Sequence, residues 1–372
     1  MFSYTAPFLC YNYDDSKGCL ELNYKFLNAR KWLSPQVLAS LTKKKQRKVA
    51  KNSSVLKIQN ELPKTCSSFK FKAGEWHISN PLEFNANCKV TFEAGATLKF
   101  SPNNYMILNS SPIFEAGSNP VKFTALQNEW GGFIIRGARD VQITNAIFEK
   151  SNEFMVGSRR FTGALTILNS QTYIVQNSSF INNYGDDGLN IKGGVGEIRE
   201  NLFVNNRDAI DVDLGKSTIK HNLILESKDD GVDSGTARLT IVKNVIFKSG
   251  DKGVSVGEQS TVQILENIIK NNNVGIAVKD NSKAKMDKNY FEQNKIALNI
   301  YNKRLSSFDS KNTVLKGKSF FTQNDINFKY NKVQQDHSKM QQPLAEEFKS
   351  LLFKKINESC ITCKQEAGRI NI

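Results

Sequence analysis

The sequence predicts an all-β fold, a right-handed single-stranded parallel β-helix. This is a solenoid of about 22 residues per coil, with short flanking α-helical segments. Three observations carry the prediction. A short phrase returns six times, as GLNI (188–191), AIDV (209–212), GVDS (231–234), GVSV (253–256), GIAV (275–278) and ALNI (297–300), in steps of 21, 22, 22, 22 and 22 residues. A second column runs beside it through Asn201, Asn222, Asn244, Asn267 and Asn289. Two residues after each stands a large apolar side chain: Phe203, Ile224, Ile246, Ile269 and Phe291. Third, the rivals at this period fail. The LxxLxLxxN pattern of leucine-rich repeats is missing, and ankyrin or tetratricopeptide units need longer helical repeats.

The columns dictate the geometry. A coil of this length cannot bury its apolar side alone, so coils must stack and place like residues about 4.8 Å apart, the spacing of adjacent strands. Aliphatic columns then pack inside, and Asn and Ser columns at the turns can hydrogen-bond as ladders.

In chain order, residues 1–65 read as an attached basic segment. Its "LSPQVLASLTKK" is a short helix with Ser34 as N-cap and Pro35 in the first turn, followed by the basic run KKKQRKVAK at 43–51. From 66 to about 145 the chain is strand-rich: "CKVTFEAGATLKFS" (88–101) and "SPIFEAGSNPVKFTAL" (111–126) share one rhythm of strand, EAG turn and strand. The solenoid is expected over 66–305. Residues 306–372 form a tail, in which "PLAEEFKSLLFKKI" (343–356) has Leu344, Phe348, Leu351 and Leu352 on one helix face, suited to covering the end of the stack or docking a partner.

The chain carries 51 Lys+Arg against 36 Asp+Glu, a net charge of +15. Residues 1–65 supply +8 and residues 303–372 supply +6, leaving about +1 for the repeats, so the excess sits on the flanks and no nucleic-acid partner is expected. No run of about 18 apolar residues exists, so no membrane span is expected. The N-terminus lacks the pattern of a secretory signal. Six cysteines fall in near pairs, Cys10 with Cys19, Cys66 with Cys88 and Cys360 with Cys363. None lies in the repeats, a placement that fits disulfides in an exported, extracellular or cell-surface protein, although spacing alone leaves free thiols open.

The chemistry lies in the first coils of the repeat. The outward residue of each phrase reads Asn190, Asp211, Asp233, Ser255, Ala277, Asn299. The residue before the small one reads Asp187, Asp208, Asp230, Lys252, Val274, Ile296, and the one before that Asp186, Arg207, Asp229, Asp251, Asn273, Lys295. With Asp213 this places nine carboxylates on three or four adjacent coils. Such crowding should raise at least one carboxyl pKa or draw in a cation. Folding has no need of it, since Asn or Ser would build uncharged ladders, so the patch reads as a site. Turn-favouring Asp at solvated corners is the competing account. Three uses suit it: Ca2+ held by Asp211, Asp213 and Asp233; glycoside hydrolysis by paired carboxylates two coil steps apart; or β-elimination with Lys192 or Lys252 as base. A groove lined by Tyr184, Tyr301 or Trp130 would accompany an enzyme. His77, His221 and His337 read as surface or turn residues.

Residues 66–302 resemble the pectin-lyase-like right-handed parallel β-helix superfamily, in particular bacterial surface proteins with parallel β-helix repeats. The repeat and the GVSVGE and AVKDNS phrases carry the likeness. A narrower resemblance is to polygalacturonase-type hydrolases, whose motifs run Asn-Thr-Asp, Asp-Asp, Gly-His-Gly and Arg-Ile-Lys. NRDAID places Asp208 at the first catalytic Asp, and KDDGV places Asp229 and Asp230 at the Asp-Asp pair. GDKG stands where Gly-His-Gly would, and no Arg-Ile-Lys follows; Lys283 and Lys285 are the nearest basic pair. The resemblance implies a carbohydrate-active enzyme acting on a polysaccharide, an acidic glycan among the candidates. Asp208, Asp229 and Asp230 would then be acid, base and positioning groups, with Asp187, Asn190, Asp211, Asp233 and Lys252 on substrate. The alternatives are a monomeric, non-catalytic adhesion or spacer module, and a binder of anionic polymers acting through the basic flanks.

Overall fold

The computed structural model describes residues 66–301 throughout. Outside that range it describes the strands Leu9–Asp14, Gly18–Leu22, Leu56–Ile58, Thr313–Lys316, Phe320–Phe321 and Phe328–Lys329. Both expected flanking helices, the basic run at 43–51, His337, and the side chains of Cys10, Cys19, Cys360 and Cys363 lie outside the described residues. No helix occurs among the described residues, and none is long and apolar enough to cross a membrane.

Each coil contains three strands, and each strand pairs in parallel with its counterpart one coil on. The coil from 202 shows the plan: a short strand Leu202–Val204, a long strand Asp208–Asp213 and a third strand Lys216–Lys220, after which the chain returns to Leu223–Leu225. Stacking yields a short-strand sheet of 12 strands, a long-strand sheet of 11, and a third sheet of 8 with a 3-stranded companion at its N-terminal side. The right-handed parallel β-helix read from the six-fold phrase is the observed fold, with Ile210 over Val232, Asp211 over Asp233 and Asp233 over Ser255 in register.

The stack reaches further than the phrase does. Leu56–Ile58 pairs with Trp76–Ile78, inside the segment read as attached. Thr313–Lys316, Phe320–Phe321 and Phe328–Lys329 add one strand to each sheet beyond residue 305. The small-residue phrase is missing in both places, so period alone did not reveal them.

Period-2 alternation fills the core. In each short strand the middle residue points inward, and Phe123, Phe148, Phe180 and Phe203 form one column with ring centroids 4.9, 5.0 and 4.8 Å apart. Such offset stacks are worth about 0.5–1.5 kcal/mol per pair beyond area burial. The corners are closed by residues in the left-handed region. In the coil from 202 they are Asn205 (φ 53), Leu214 (φ 56) and His221 (φ 56). Asn tolerates this conformation and Leu does not.

The expected amide ladder is present. Asn222 Nδ2 donates to Ile198 O and to Asn244 Oδ1, both at 2.9 Å, and Asn244 and Asn267 repeat the arrangement one coil on each time. All three are fully buried, so the ladder satisfies corner backbone groups that water cannot reach. At the N-terminal side a disulfide joins Cys66 to Cys88, one coil apart.

Between Phe148 and Phe180, paired columns lie 32 residues apart instead of the usual 22. The extra residues form an antiparallel hairpin, Phe154–Val156 with Arg159–Phe161. Phe154 and Phe161 pack on Ile107, Ile134 and Leu168, on the outer face of the long-strand sheet. Gly131 and Gly132 permit this, because a Cβ at either would lie 3.0 Å from the Phe154 ring. The hairpin is a wall standing on the sheet that carries the acidic columns.

Candidate functional site

The outward column of the long-strand sheet runs Ile107, Ile134, Thr166, Asn190, Asp211, Asp233, Ser255, Ala277, Asn299. The hairpin covers its apolar beginning. The acidic stretch starts at the wall and continues away from it.

This stretch is less solvated than the sequence implied. Asp187 and Asn190 are buried, and Asp208, Asp211 and Asp233 are half-buried. Asn190 Nδ2 donates to Asp187 Oδ2 at 2.8 Å and to Asp211 Oδ2 at 2.7 Å, tying two coils together. One coil on, Asp208 Oδ1 accepts the Asp230 backbone N–H at 2.7 Å, and Asp230 Oδ1 accepts the Lys252 backbone N–H at 2.9 Å. Asp208, Asp230 and Asp233 converge, with one oxygen of each within 4.8 Å of the others.

Three lysines reach into the cluster. Lys192 Nζ lies 2.5 Å from Asp213, Lys252 Nζ 3.2 Å from Asp230, and Lys279 Nζ 4.0 Å from Asp233. Lys279 belongs to the strand two coils beyond Asp233 and crosses Gly257, where a Cβ would sit 2.6 Å from its Cε. Gly235 plays the same part for Asp213, whose Oδ1 would be 2.3 Å from an added Cβ. Each of these carboxylates thus has a lysine, whereas Asp187 and Asp208 have no ion pair among the described residues.

The electrostatics follow that division. Burial, reinforced by Asp230, Asp233 and Asp187, pushes the Asp208 carboxyl up to about 9. Burial raises Asp187 to about 7, with Asp186 adding to it against hydrogen bonds from Thr162 and Asn190. Asp211 is raised well above the carboxylate range by burial and by Asp187, Asp213 and Asp233. Burial lifts Asp230 only to about 6, because Lys252 opposes it. Near neutral pH the cluster therefore holds a protonated Asp208 beside an ionised Asp230. The lysines are poor bases. Burial alone would lower Lys252, but Asp230 and Asp251 outweigh it and hold it above its ordinary value; Asp213 and Asp211 do the same for Lys192. This disfavours either lysine as the base of an elimination.

The residues fit calcium poorly. Of the expected ligands, Asp213 is held by Lys192 and Asp211 by Asn190, and neither belongs to the converging trio. In the converging trio, Lys252 Nζ already lies 3.2 and 3.4 Å from the two Asp230 oxygens. A cation that prefers six to eight oxygens would have to displace it.

Asp229 belongs to a second convergence on the Asp230 carboxyl: one oxygen each of Asp229, Asp230 and Asp251 lie within 4.8 Å of one another. With Asp186, Asp229 is bridged by Arg207, at 3.6 and 2.9 Å, on the corner beside the sheet. The paired carboxyls are on adjacent coils instead of two steps apart. Of the expected aromatic residues, Tyr184 is exposed on that corner, with Lys228 Nζ 5.7 Å from its ring centre, and Tyr301 is half-buried near Lys252. Trp130 is not available: it is buried in the core, stacked on Phe100 at 4.4 Å, with Nε1 donating to Glu149 O. Its bulk and mixed polarity are met inside the solenoid. His221 occupies a corner between the third and short-strand sheets, away from the acids.

Sequence reasoning missed the hairpin and Lys279, and placed Ser255 on the outward column without giving it a role. The ten extra residues around FMVGSRRF signalled the first. The small residues Gly235 and Gly257, followed in their column by Lys279, signalled a long side chain folded across two coils. Asn190 Oδ1 and Ser255 Oγ are buried without a hydrogen-bond partner among the described residues, and both stand on the acidic column.

Comparison with known proteins agrees with this fold. The family model described as a right handed beta helix region matches residues 163–314. Tailspike protein 3 of bacteriophage CBA120 is similar in structure at 12% identity and a TM-score of 0.46, over 73% of this chain and 54% of that one, so the chain spans about half its length. The periplasmic alginate epimerase AlgG is similar at 12% identity and a TM-score of 0.36, over 72% of this chain and 83% of that one. The A-module of the mannuronan C-5 epimerase AlgE4 of Azotobacter vinelandii is similar at 10% identity and a TM-score of 0.35, over 72% of this chain and 91% of that one. Likenesses this distant carry no argument about this chain. No curated protein matches the chain.

Proposed function

We propose that the acidic face of the long-strand sheet engages a polysaccharide and hydrolyses its glycosidic bonds, with Asp208 as acid and Asp230 as the carboxylate partner. One observation carries the reading: a carboxyl held protonated at about 9 lies against one held at about 6, on a face bounded by a wall. Paired titratable groups pushed apart by their surroundings are how a fold obtains an acid and a base at one pH.

The spacing supports retention. Inverting enzymes separate their carboxyls by about 6.5–9.5 Å to seat a water, whereas retaining ones use about 5–5.5 Å. Oxygens of Asp208 and Asp230 approach within 4.8 Å. In this scheme Asp208 gives its proton to the glycosidic oxygen as the bond to the anomeric carbon breaks. Asp230, held by Lys252, attacks that carbon. Asp208, now a carboxylate, takes a proton from water while the water oxygen displaces Asp230. Tyr184 offers a ring face to a sugar, Arg207 holds Asp229 at the rim, and Asp187, Asn190, Asp211 and Asp233 supply hydrogen bonds along the column. The Cys66–Cys88 disulfide supports an oxidising, extracellular or surface setting for this activity.

A second reading has its own support. The lysine pairing of Asp213, Asp230 and Asp233 would also suit a glycan-binding spacer without turnover. A panel of neutral and acidic polysaccharides separates the two. Hydrolysis should release new reducing ends from at least one, and both Asp208→Asn and Asp230→Asn should abolish it while binding persists. Binding with no product from any glycan would leave only the spacer.

A further inference from the structure

The near-neutral charge of the repeats conceals two faces of opposite sign. The acidic columns stand on the long-strand sheet. The third sheet, round the next corner of each coil, turns a basic face outwards. Its strands Lys216–Lys220, Arg238–Val242, Thr261–Leu265 and Lys283–Asp287 stack in register. Period 2 sends their second and fourth residues into the core and leaves the others outside. One outward column reads Lys216, Arg238, Thr261, Lys283, and the next Thr218, Thr240, Gln263, Lys285. All but Thr218 and Thr240 are exposed, and those two are half-buried.

These cations differ from the lysines of the acidic face. Lys192, Lys252 and Lys279 each lie against a carboxylate. Lys216, Arg238, Lys283 and Lys285 have no ion pair or hydrogen bond among the described residues. The acids near them are engaged elsewhere. Glu197 holds Lys220 at 3.0 Å, and Glu266 pairs with Lys243 at 3.6 Å. Glu258 leans over Gly235 towards the long-strand sheet, where an added Cβ would lie 3.2 Å from its Oε2. Asp287 is the one carboxylate on the four strands. Lys216 and Arg238 are direct register partners, and like charges placed opposite each other cost stability. Folding gains nothing from leaving them uncompensated, whereas an anionic partner would supply the missing charge.

We infer that this face binds an anionic polysaccharide laid along the coils, at a surface separate from the proposed hydrolytic site and independent of it. From Lys216 to Lys283 the row spans three coil steps, about 14 Å at about 4.8 Å each, so a polymer meets it at several points at once. Between the cations, Thr218, Thr240, Thr261 and Gln263 offer hydroxyls and an amide to sugar oxygens. No aromatic ring stands on the four strands, as stacking of nucleic-acid bases would require. Their exposed outward side chains are all hydrophilic, without the Trp, Phe or Leu that settles into a lipid interface. The carboxylates of the long-strand sheet repel the same polymer, so the two faces sort glycans by charge.

Affinity electrophoresis of the full chain through gels containing polygalacturonate or dextran sulfate tests this. The wild type should be retarded by at least one of them, and the retardation should fade as salt rises. Arg238→Gln with Lys283→Gln should lower the slope of log affinity against log salt by about 1.4, two cations at about 0.7 each. Arg238→Glu with Lys283→Glu should weaken binding at least about tenfold. Both positions are exposed, so circular dichroism and the melting temperature should stay those of the wild type. Lys43→Gln with Lys44→Gln and Lys45→Gln, in the basic run of the N-terminal segment, should weaken binding less than either third-sheet pair. Retardation by neither polymer would overturn the inference. So would retardation that survives both third-sheet pairs, or that is lost only with the substitutions at 43–45. Binding to phosphatidylserine vesicles or to single-stranded DNA through Arg238 and Lys283, with neither polysaccharide bound, would overturn it in favour of that partner.

Discussion

Asp208→Asn should make the protein more stable at neutral pH while abolishing turnover. The reason lies in the folded carboxyl. In the unfolded chain Asp208 ionises with an ordinary value of 3.8, whereas burial and Asp230 hold it at about 9 when folded. A carboxyl raised in this way favours the folded state fully only below the unfolded value, and the advantage is lost as pH rises towards 9. Each pH unit between the two values is worth about 1.4 kcal/mol, so by pH 7 the ceiling is about 4 kcal/mol. Structural relaxation would bring this nearer to about 2 kcal/mol. Asparagine keeps the acceptor for the Asp230 N–H, made at 2.7 Å, and never ionises. Urea unfolding midpoints measured from pH 5 to 9 are the assay. Wild-type stability should fall with pH, and the variant should show a shallower slope and a higher midpoint at pH 7 and above. A variant less stable than wild type at pH 8, or with an unchanged slope, would refute the reasoning.

Other outcomes follow from the scaffold. Asn244→Ala leaves the Asn222 N–H and Ile219 O without their buried partner. At about 1–3 kcal/mol per orphaned group it should lower stability by about 2–6 kcal/mol in chemical denaturation. Leu214 is 71% exposed and sits at φ 56, so Leu214→Asn should raise stability by about 0.5–1 kcal/mol in the same assay. Reducing the Cys66–Cys88 bond opens a 22-residue loop and should cost about 3 kcal/mol, seen as a lower melting temperature on adding a thiol reductant.

The fold was legible because a solenoid writes itself as columns. The Asn201-to-Asn289 column foretold the amide ladder, and the Phe203-to-Phe291 column the core. The strands beyond residue 305 escaped because they lack the small-residue phrase. For the site, register placed Asp211 over Asn190 and Asp233 over Asp211 before any coordinates. Register does not say which carboxylates are neutralised. That depends on Lys279 folding over Gly257 and on the burial of Asp187, both long-range in sequence. Trp130 misled for the opposite reason: an aromatic near a turn can serve a groove or a core, and here the Phe100 ring claims it.

The central claim is that Asp208 is an acid at neutral pH. Infrared difference spectra between the wild type and Asp208→Asn, taken from pH 5 to 10, measure this directly. The account predicts a protonated-carboxyl band belonging to Asp208 that persists through pH 7 and disappears near about pH 9. A band already lost by pH 5 would make Asp208 an ordinary carboxylate and remove the acid from the proposed reaction.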